Sequence, residues 1–185
     1  YVVVHGVAKA ERRGELKTPL PAGFVHDEQG KVVLDPDSQV RQAVELFFQT
    51  FRRTGAATAT AKSFRKDGLL FPRRLRCGVS KGELVWEALH VNRALSMLRN
   101  PRYAGAYAFG RTHQRQAHER RRVLEQLPRE RWHALLQGAH EGYISWPQYE
   151  ENQTRLRDNA VAVGAGHPRC PPREGPALLQ GVVLC

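Results

Sequence analysis

Between Asp37 and Gly55 the apolar residues fall at Val40, Val44, Phe47, Phe48 and Phe51, a spacing of i, i+4, i+7/8 and i+11 that commits the segment to a helix with one buried face. Asp35-Pro36-Asp37 offers an acidic cap at its start and Gly55 a stop at its end. A second, shorter helix is expected from about Thr58, with Ala61 and Phe64 turned inward, Lys62, Arg65 and Lys66 turned outward, and Gly68 ending it. Two helices joined by a glycine turn form a helix-turn-helix candidate, a geometry that sets the polar face of the second helix where it can enter a major groove. Plain helical packing produces such pairs too, so the pattern by itself assigns no function.

Around this pair the chain reads as α+β and mainly helical, with small β-hairpins and a short antiparallel sheet. Residues 1–22 are rich in Arg, Lys and Pro, show little periodicity and read as a connector. Phe24-Val25 and Val32-Val33-Leu34 are β-prone runs on either side of the turn-rich Asp27-Glu28-Gln29-Gly30, consistent with a hairpin. Pro72-Arg73-Arg74-Leu75-Arg76 and Leu84-Val85-Trp86 bracket residues 77–82 as a basic hairpin that could serve as a wing. Val91, Leu95 and Leu98 mark a third helix, stopped at Asn100-Pro101 because a residue before proline is pushed out of the α region.

Residues 103–111 alternate enough to suggest a strand packed on the core, and the polar residues 113–122 suggest a loop or helix start that exposes Arg120-Arg121-Arg122. Pro128 is expected to open a helix carrying Trp132, Leu135, Leu136 and Ala139 and ending near Gly142. Ser145, Pro147 and Gln148 match the capping chemistry of a last helix, with Tyr149, Asn152 and Leu156 along its face. Beyond Asn159 the composition turns to Gly, Ala and Pro, and a linker is expected. The resulting division is 1–22, 23–160 and 161–185.

Charge is unevenly distributed. The 185 residues carry a formal net charge of +11, yet between Arg52 and Arg122 there are 17 Lys or Arg against four acids, so the rest of the chain is slightly negative. A basic middle of this kind is the electrostatic footprint of a surface that meets phosphate, because releasing condensed counterions drives such binding. A solvated charged face is the bland alternative. Cys77, Cys170 and Cys185 are odd in number and form no C-x-x-C pair, which argues against a secreted disulfide framework and for a reducing, cytoplasmic compartment. No apolar run reaches the roughly 18 residues of a membrane span. The chain opens on tyrosine and closes on a cysteine at the edge of an apolar run, so both ends are expected to be cut from something longer.

Several strings, taken in order, resemble one family. They are Lys9-Ala10-Glu11 with Arg13-Gly14-Glu15-Leu16, then Leu20-Pro21-Ala22-Gly23-Phe24-Val25, Gly55 and the short helix after it, Phe71-Pro72-Arg73-Arg74, and Trp86. The most specific is Asn100-Pro101-Arg102-Tyr103-Ala104-Gly105-Ala106-Tyr107, and Gly142-Tyr143-Ile144-Ser145-Trp146 and Tyr149-Glu150-Glu151-Asn152 follow it. Together they resemble the recombinase domain that follows the catalytic domain in large serine recombinases, over nearly the whole chain. Departures are the extra arginine in Glu11-Arg12-Arg13-Gly14 and an opening segment unlike the helix that usually precedes the domain.

The resemblance implies binding of double-stranded DNA at an attachment site, with an intact parent that breaks and rejoins strands through a phosphoserine and self-associates in the bacterial nucleoid. It also implies that residues 175–185 enter a zinc ribbon, with Cys185 a metal ligand only if the rest of the ribbon is present; no cofactor is expected for the chain itself. A catalytic serine in a Tyr-x-Arg-x-Ser-like context is absent from this sequence, so no catalytic residue is assigned. Expected DNA contacts are Lys62, Arg65 and Lys66 on the second helix, Arg73, Arg74 and Arg76 on the basic hairpin, and Arg111 after the strand, most of them to phosphate. Two other readings stay open. One is a tyrosine-recombinase-type enzyme using His90-x-x-Arg93 or His118-x-x-Arg121 with Tyr143 or Tyr149, and the other is a decayed fragment that folds without a function. A metal-binding domain on His167, Cys170 and Cys185 has only one close ligand pair, so free thiols are the default, Cys77 included.

Overall fold

The apolar stripe forms the helix it demands. A computed structural model describes residues 19–75, 77–80, 82–117 and 121–166. In it α1 (Ser38–Thr54) begins where Asp37 accepts a hydrogen bond from the Gln39 amide at 2.8 Å, and it ends at Gly55, whose left-handed φ of 71° lets its N–H reach the Phe51 carbonyl. Val40, Val44, Phe47, Phe48 and Phe51 are all buried, as their spacing requires. The following helix, α2 (Ala57–Lys66), buries Ala57, Thr60, Ala61 and Phe64. The turn between the two is stapled by the Thr54 and Thr60 hydroxyls, 2.9 Å apart, which also bond to the carbonyls of Thr50 and Ala56.

Among the described residues there are also three hairpins and a further strand pair. β1 (Phe24–His26) and β2 (Val32–Leu34) pair antiparallel with Phe24 opposite Leu34. Asp27 closes their loop by accepting from the amides of Gln29 and Lys31. β3 (Leu70–Arg74) and β4 (Leu84–Ala88) form the basic hairpin, with Pro72 opposite Trp86. α3 (Val91–Leu98) follows and stops before Asn100-Pro101, as the proline dictates. The core is aromatic: the Phe47 ring lies 5.1, 6.4 and 5.7 Å from those of Phe48, Phe64 and Phe71, and Tyr103 lies 5.4 and 5.5 Å from Phe48 and Phe24. Tilted and edge-on pairs of this sort each add about 0.5–1.5 kcal/mol beyond the area they bury.

After Asn100 the backbone departs from expectation. Residues 101–104 are a single 3-10 turn rather than strand, because the Asn100 side chain caps it by accepting from the Arg102 amide at 3.3 Å and Gly105 ends it at φ 69°. Only Tyr107–Phe109 is extended, as β5, and it pairs with β8 (Ala134–Leu136). The expected helix after Pro128 is therefore a 3-10 turn (Arg129–Arg131) followed by that strand. Trp132, Leu135, Leu136 and Ala139 mimic a helical stripe, but Trp132 is held by its indole N–H to the Leu127 carbonyl at 2.9 Å, and the positive φ of Gly138 turns the chain.

Of the polar residues expected as a loop or helix start, 113–117 lie in β6 (Thr112–Ala117) and Arg121 and Arg122 in β7 (Arg121–Gln126), which pairs with it, while Arg120 lies outside the described residues. A two-stranded ribbon draws its pairing from the backbone, which polar composition does not reveal.

The last helix, α4 (Trp146–Gly166), starts on the reciprocal cap expected for it: the Ser145 amide donates to Gln148 Oε1 at 2.9 Å and the Gln148 amide to Ser145 Oγ at 3.4 Å. Tyr149 and Asn152 are buried and Leu156 packs against the core. The helix runs on through residues 161–166, where a linker was expected. Alanines at 160 and 162 favour continuation, whereas the glycines at 164 and 166 oppose it and are what made the segment read as a linker. No helix among the described residues is long and apolar enough to cross a membrane.

Candidate nucleic-acid interface

α2 packs Phe64 against Phe71 and Phe47, and this fixes what its other side presents. Lys62 and Lys66 are one turn apart opposite the buried residues, Arg65 stands on the flank, and all three are exposed. None makes an ion pair or side-chain hydrogen bond among the described residues, so their ammonium and guanidinium groups meet solvent. Arg65 and Lys66 also oppose the negative end of the helix dipole, a structural benefit of about 0.3–1 kcal/mol each that accounts for part of their placement.

On the hairpin the arginines divide. Arg73, with its side chain 43% exposed, lies 2.9 Å through its buried Nε from Glu87 Oε1 on the opposite strand, an ion pair without hydrogen-bond alignment. Arg74 turns inward. Its Nη2 lies 3.3 Å from both Asp35 Oδ2 and the Phe24 carbonyl, and its Nη1 donates to the Gly82 carbonyl at 3.1 Å, so it ties β3 to the first hairpin. Arg76 and Cys185 lie outside the described residues. At the loop, Cys77 is an exposed free thiol and Val79 is fully exposed.

Arg111 belongs to a different part of the surface. Its Nη1 donates to the Arg99 carbonyl at 3.1 Å and Asn100 Oδ1 at 3.4 Å, and its guanidinium carbon lies 5.9 Å from the centre of the Trp132 ring. Burial, and to a lesser degree repulsion from Arg102, pulls its pKa below the usual arginine range, partly offset by Tyr149. It lines a cleft of about 750 Å³ walled by the 3-10 turn before β8 and by α4. Arg99, Arg129 and Arg157 line the same cleft, and reading the sequence missed them because they lie far apart in the chain and only the tertiary fold groups them with Arg111.

The tyrosines that a tyrosine-nucleophile chemistry would need are committed elsewhere. The Tyr143 hydroxyl donates to the Gly23 carbonyl at 2.7 Å and that of Tyr149 to the Arg99 carbonyl at 3.2 Å, and burial raises the pKa of both phenols. Arg93 is likewise occupied, donating to the Pro72 carbonyl at 2.9 Å. His118 lies outside the described residues. Among the described residues no group of three His, Cys, Asp or Glu is placed to hold a metal ion.

Comparisons with known proteins agree with this geometry. A family model described as Recombinase matches residues 38–159. The chain is 45% identical over 180 residues to the uncharacterized protein y4bA/y4pH of Sinorhizobium fredii (strain NBRC 101917 / NGR234), an alignment covering 97% of this chain and 26% of that protein. The chain thus spans about a quarter of the length of this curated relative. Its fold is similar to that of a chain in the crystal structure of an LSR–DNA complex, with a TM-score of 0.52, 15% identity, and coverage of 86% of this chain and 39% of the other. A structure bearing on the sequence requirements of the Listeria innocua prophage attP site is similar at a TM-score of 0.51 and 16% identity, covering 85% of this chain and 52% of that one. At such identities the likeness is one of fold, and it agrees with the α+β architecture of four helices and short antiparallel strand pairs.

Proposed function

The chain belongs to the Recombinase family, and from that premise we propose that it is the duplex-DNA-binding domain of a site-specific serine recombinase. The observation that carries this reading is the set Lys62, Arg65 and Lys66, exposed and unpaired among the described residues, on the second helix of a glycine-turned pair, within a segment whose cationic surplus exceeds that of the whole chain. Lysines act as point charges toward phosphate, and arginine adds a planar fork suited to phosphate or guanine. Arg73 extends the surface onto the hairpin, and Arg76 is proposed with it. Arg74 supports them by holding β3 in place.

On this reading the chain binds DNA without cutting it, and strand breakage through a phosphoserine belongs to a catalytic domain of the longer parent, acting at the nucleoid and through self-association of that parent. Cys185 would supply one ligand of a zinc ribbon. A single thiolate is one quarter of a tetrahedral zinc site, and nothing in the DNA-binding reading rests on it.

The test is a mobility shift with duplex DNA across a salt series. Salt-dependent binding is expected, and in the triple variant K62Q/R65Q/K66Q the slope of log affinity against log salt falls by about 2 to 3. Binding indifferent to salt, or a triple variant that matches the parent chain, overturns the proposal.

A further inference from the structure

We propose that the cleft between α4 and the turn preceding β8 is a second phosphate-binding site of this chain, taking a phosphodiester of the same DNA duplex away from the α2 surface. The inference rests on the DNA-binding reading above and adds a contact to it. Four arginines line the cleft, Arg99, Arg111, Arg129 and Arg157, against the carboxylates of Glu130 and Glu150. Arg129 is already neutralised, with its Nη1 2.6 Å from Glu150 Oε1. Three guanidinium groups then face one remaining carboxylate.

Arg111 is the anchor. It is half-buried, and among the described residues it has no carboxylate partner and only its Nη1 has protein acceptors, which leaves Nε and Nη2 free to donate. A desolvated cation without a counter-ion is costly, and an anion in the cleft relieves that cost. The Arg99 carbonyl, Asn100 Oδ1 and the Trp132 ring hold its plane fixed, the pre-organisation that paired donation to phosphate requires. Arg99 and Arg157 are exposed at the mouth, and Arg157 is steadied by the Thr154 hydroxyl at 3.1 Å.

The cleft is mechanically coupled to the helix pair. α4 presents Gln153 and Arg157 to the cleft, while Arg155 and Asn159 on its other flank donate to the carbonyls of Arg52 and Gly55 at 3.0 and 2.9 Å. One helix therefore lies between the cleft and the α1–α2 turn and sets the distance between the two proposed phosphate contacts. A duplex touching both surfaces would be fixed in orientation as well as position.

The experiment uses the full chain and a fluorescently labelled duplex, with anisotropy followed over a salt series. R99Q/R157Q replaces two exposed side chains and keeps the fold. It is expected to weaken binding on the order of 10- to 100-fold at about 0.1 M salt, to do so equally for any duplex sequence, and to lower the salt slope by about 2. E150Q releases Arg129 and is expected to act in the opposite direction, tightening binding and steepening the slope. If the parent chain binds DNA with a steep slope while both variants match it, the cleft proposal is overturned and the α2 reading stands. If R99Q/R157Q loses affinity for a polyglutamate probe and none for DNA, the cleft serves an acidic polypeptide and the proposal is likewise overturned. A parent chain that binds no duplex at all removes both readings together.

Discussion

Tyr103 donates its buried hydroxyl to the carbonyl oxygen of Ala22 at 2.9 Å, joining residues 81 positions apart. Its ring sits among Phe24, Phe48 and Tyr143, and its own carbonyl accepts from the Ile144 amide at 3.1 Å. One side chain thus draws the start of the fold, α1 and the approach to α4 together. Tyr103→Phe keeps the ring and leaves a buried carbonyl without its donor, so a loss of about 1–3 kcal/mol is expected. Urea unfolding followed by far-UV circular dichroism checks this: the midpoint falls at constant m-value, and an unchanged midpoint would show that the hydroxyl contributes nothing.

Gly55 and Gly105 both have positive φ, at 71° and 69°, but their surroundings differ. A Cβ on Gly55 meets nothing within 4 Å, whereas one on Gly105 drives into the backbone carbonyl oxygen of His140. Gly55→Ala therefore costs only the left-handed backbone penalty, roughly 1–2 kcal/mol. Gly105→Ala adds a collision with the adjoining backbone at His140, and a loss of about 4 kcal/mol or more is expected. Thermal melts of the two variants side by side separate the cases, and equal losses would contradict the close approach.

The legible and illegible parts of the chain differ for a physical reason. α1, α2 and the cap of α4 were readable because each depends on contacts within one turn of helix: the stripe from Val40 to Phe51, Asp37 and Gly55 as caps, Ser145 with Gln148. The segment after Asn100 was not, because its form is set by partners far away in sequence. Leu135 reads as helix until Ala108 is found opposite it, and although Asn100 and Gly105 bound the 3-10 turn locally, its docking is fixed by the bonds of Tyr103 to Ala22 and Ile144. The site followed the same division. The outward cations of α2 follow from helical period, while the inward turn of Arg74 requires knowing that Asp35 lies beside it, and the grouping of Arg99, Arg111 and Arg157 requires the tertiary fold.

The Asp35–Arg74 pair tests the structural half of that division. Asp35 Oδ2 lies 3.3 Å from Arg74 Nη2 with side chains only 10% and 26% exposed, and Asp35 Oδ1 also accepts from the Asp37 amide at 3.2 Å. Removing one partner of a well-buried pair costs about 3–5 kcal/mol, and the partial exposure of Arg74 reduces the expectation to about 2 kcal/mol for Asp35→Ala. In a double-mutant cycle with Arg74→Ala the two losses should fall short of additivity by about 1 kcal/mol. Strict additivity would mean that the two side chains act independently and that Arg74 is held by the Phe24 and Gly82 carbonyls alone.

His140 gives the fold a dependence on mild acid. Its ring packs edge-on to Phe24 at 5.1 Å, and Nδ1 lies 2.7 Å from the Glu141 carbonyl, which only accepts, so Nδ1 carries the proton and Nε2 is the bare nitrogen. Nε2 is buried without a partner among the described residues. Burial, with repulsion from Arg102 as a smaller cause, lowers the pKa below the ordinary 6.5, although the bond to Glu141 pulls the other way. Because the folded state then binds its proton less readily than the unfolded chain, folding is favoured above about pH 6.5 and loses that contribution as pH falls through the folded-state pKa. Denaturant midpoints are therefore expected to be flat near neutrality and to decline below about pH 6.5, before carboxylates titrate in quantity near pH 4. His140→Gln removes the titrating group, so its midpoint should stay level over that window. A variant that declines in parallel with the parent chain would assign the acid sensitivity to another group.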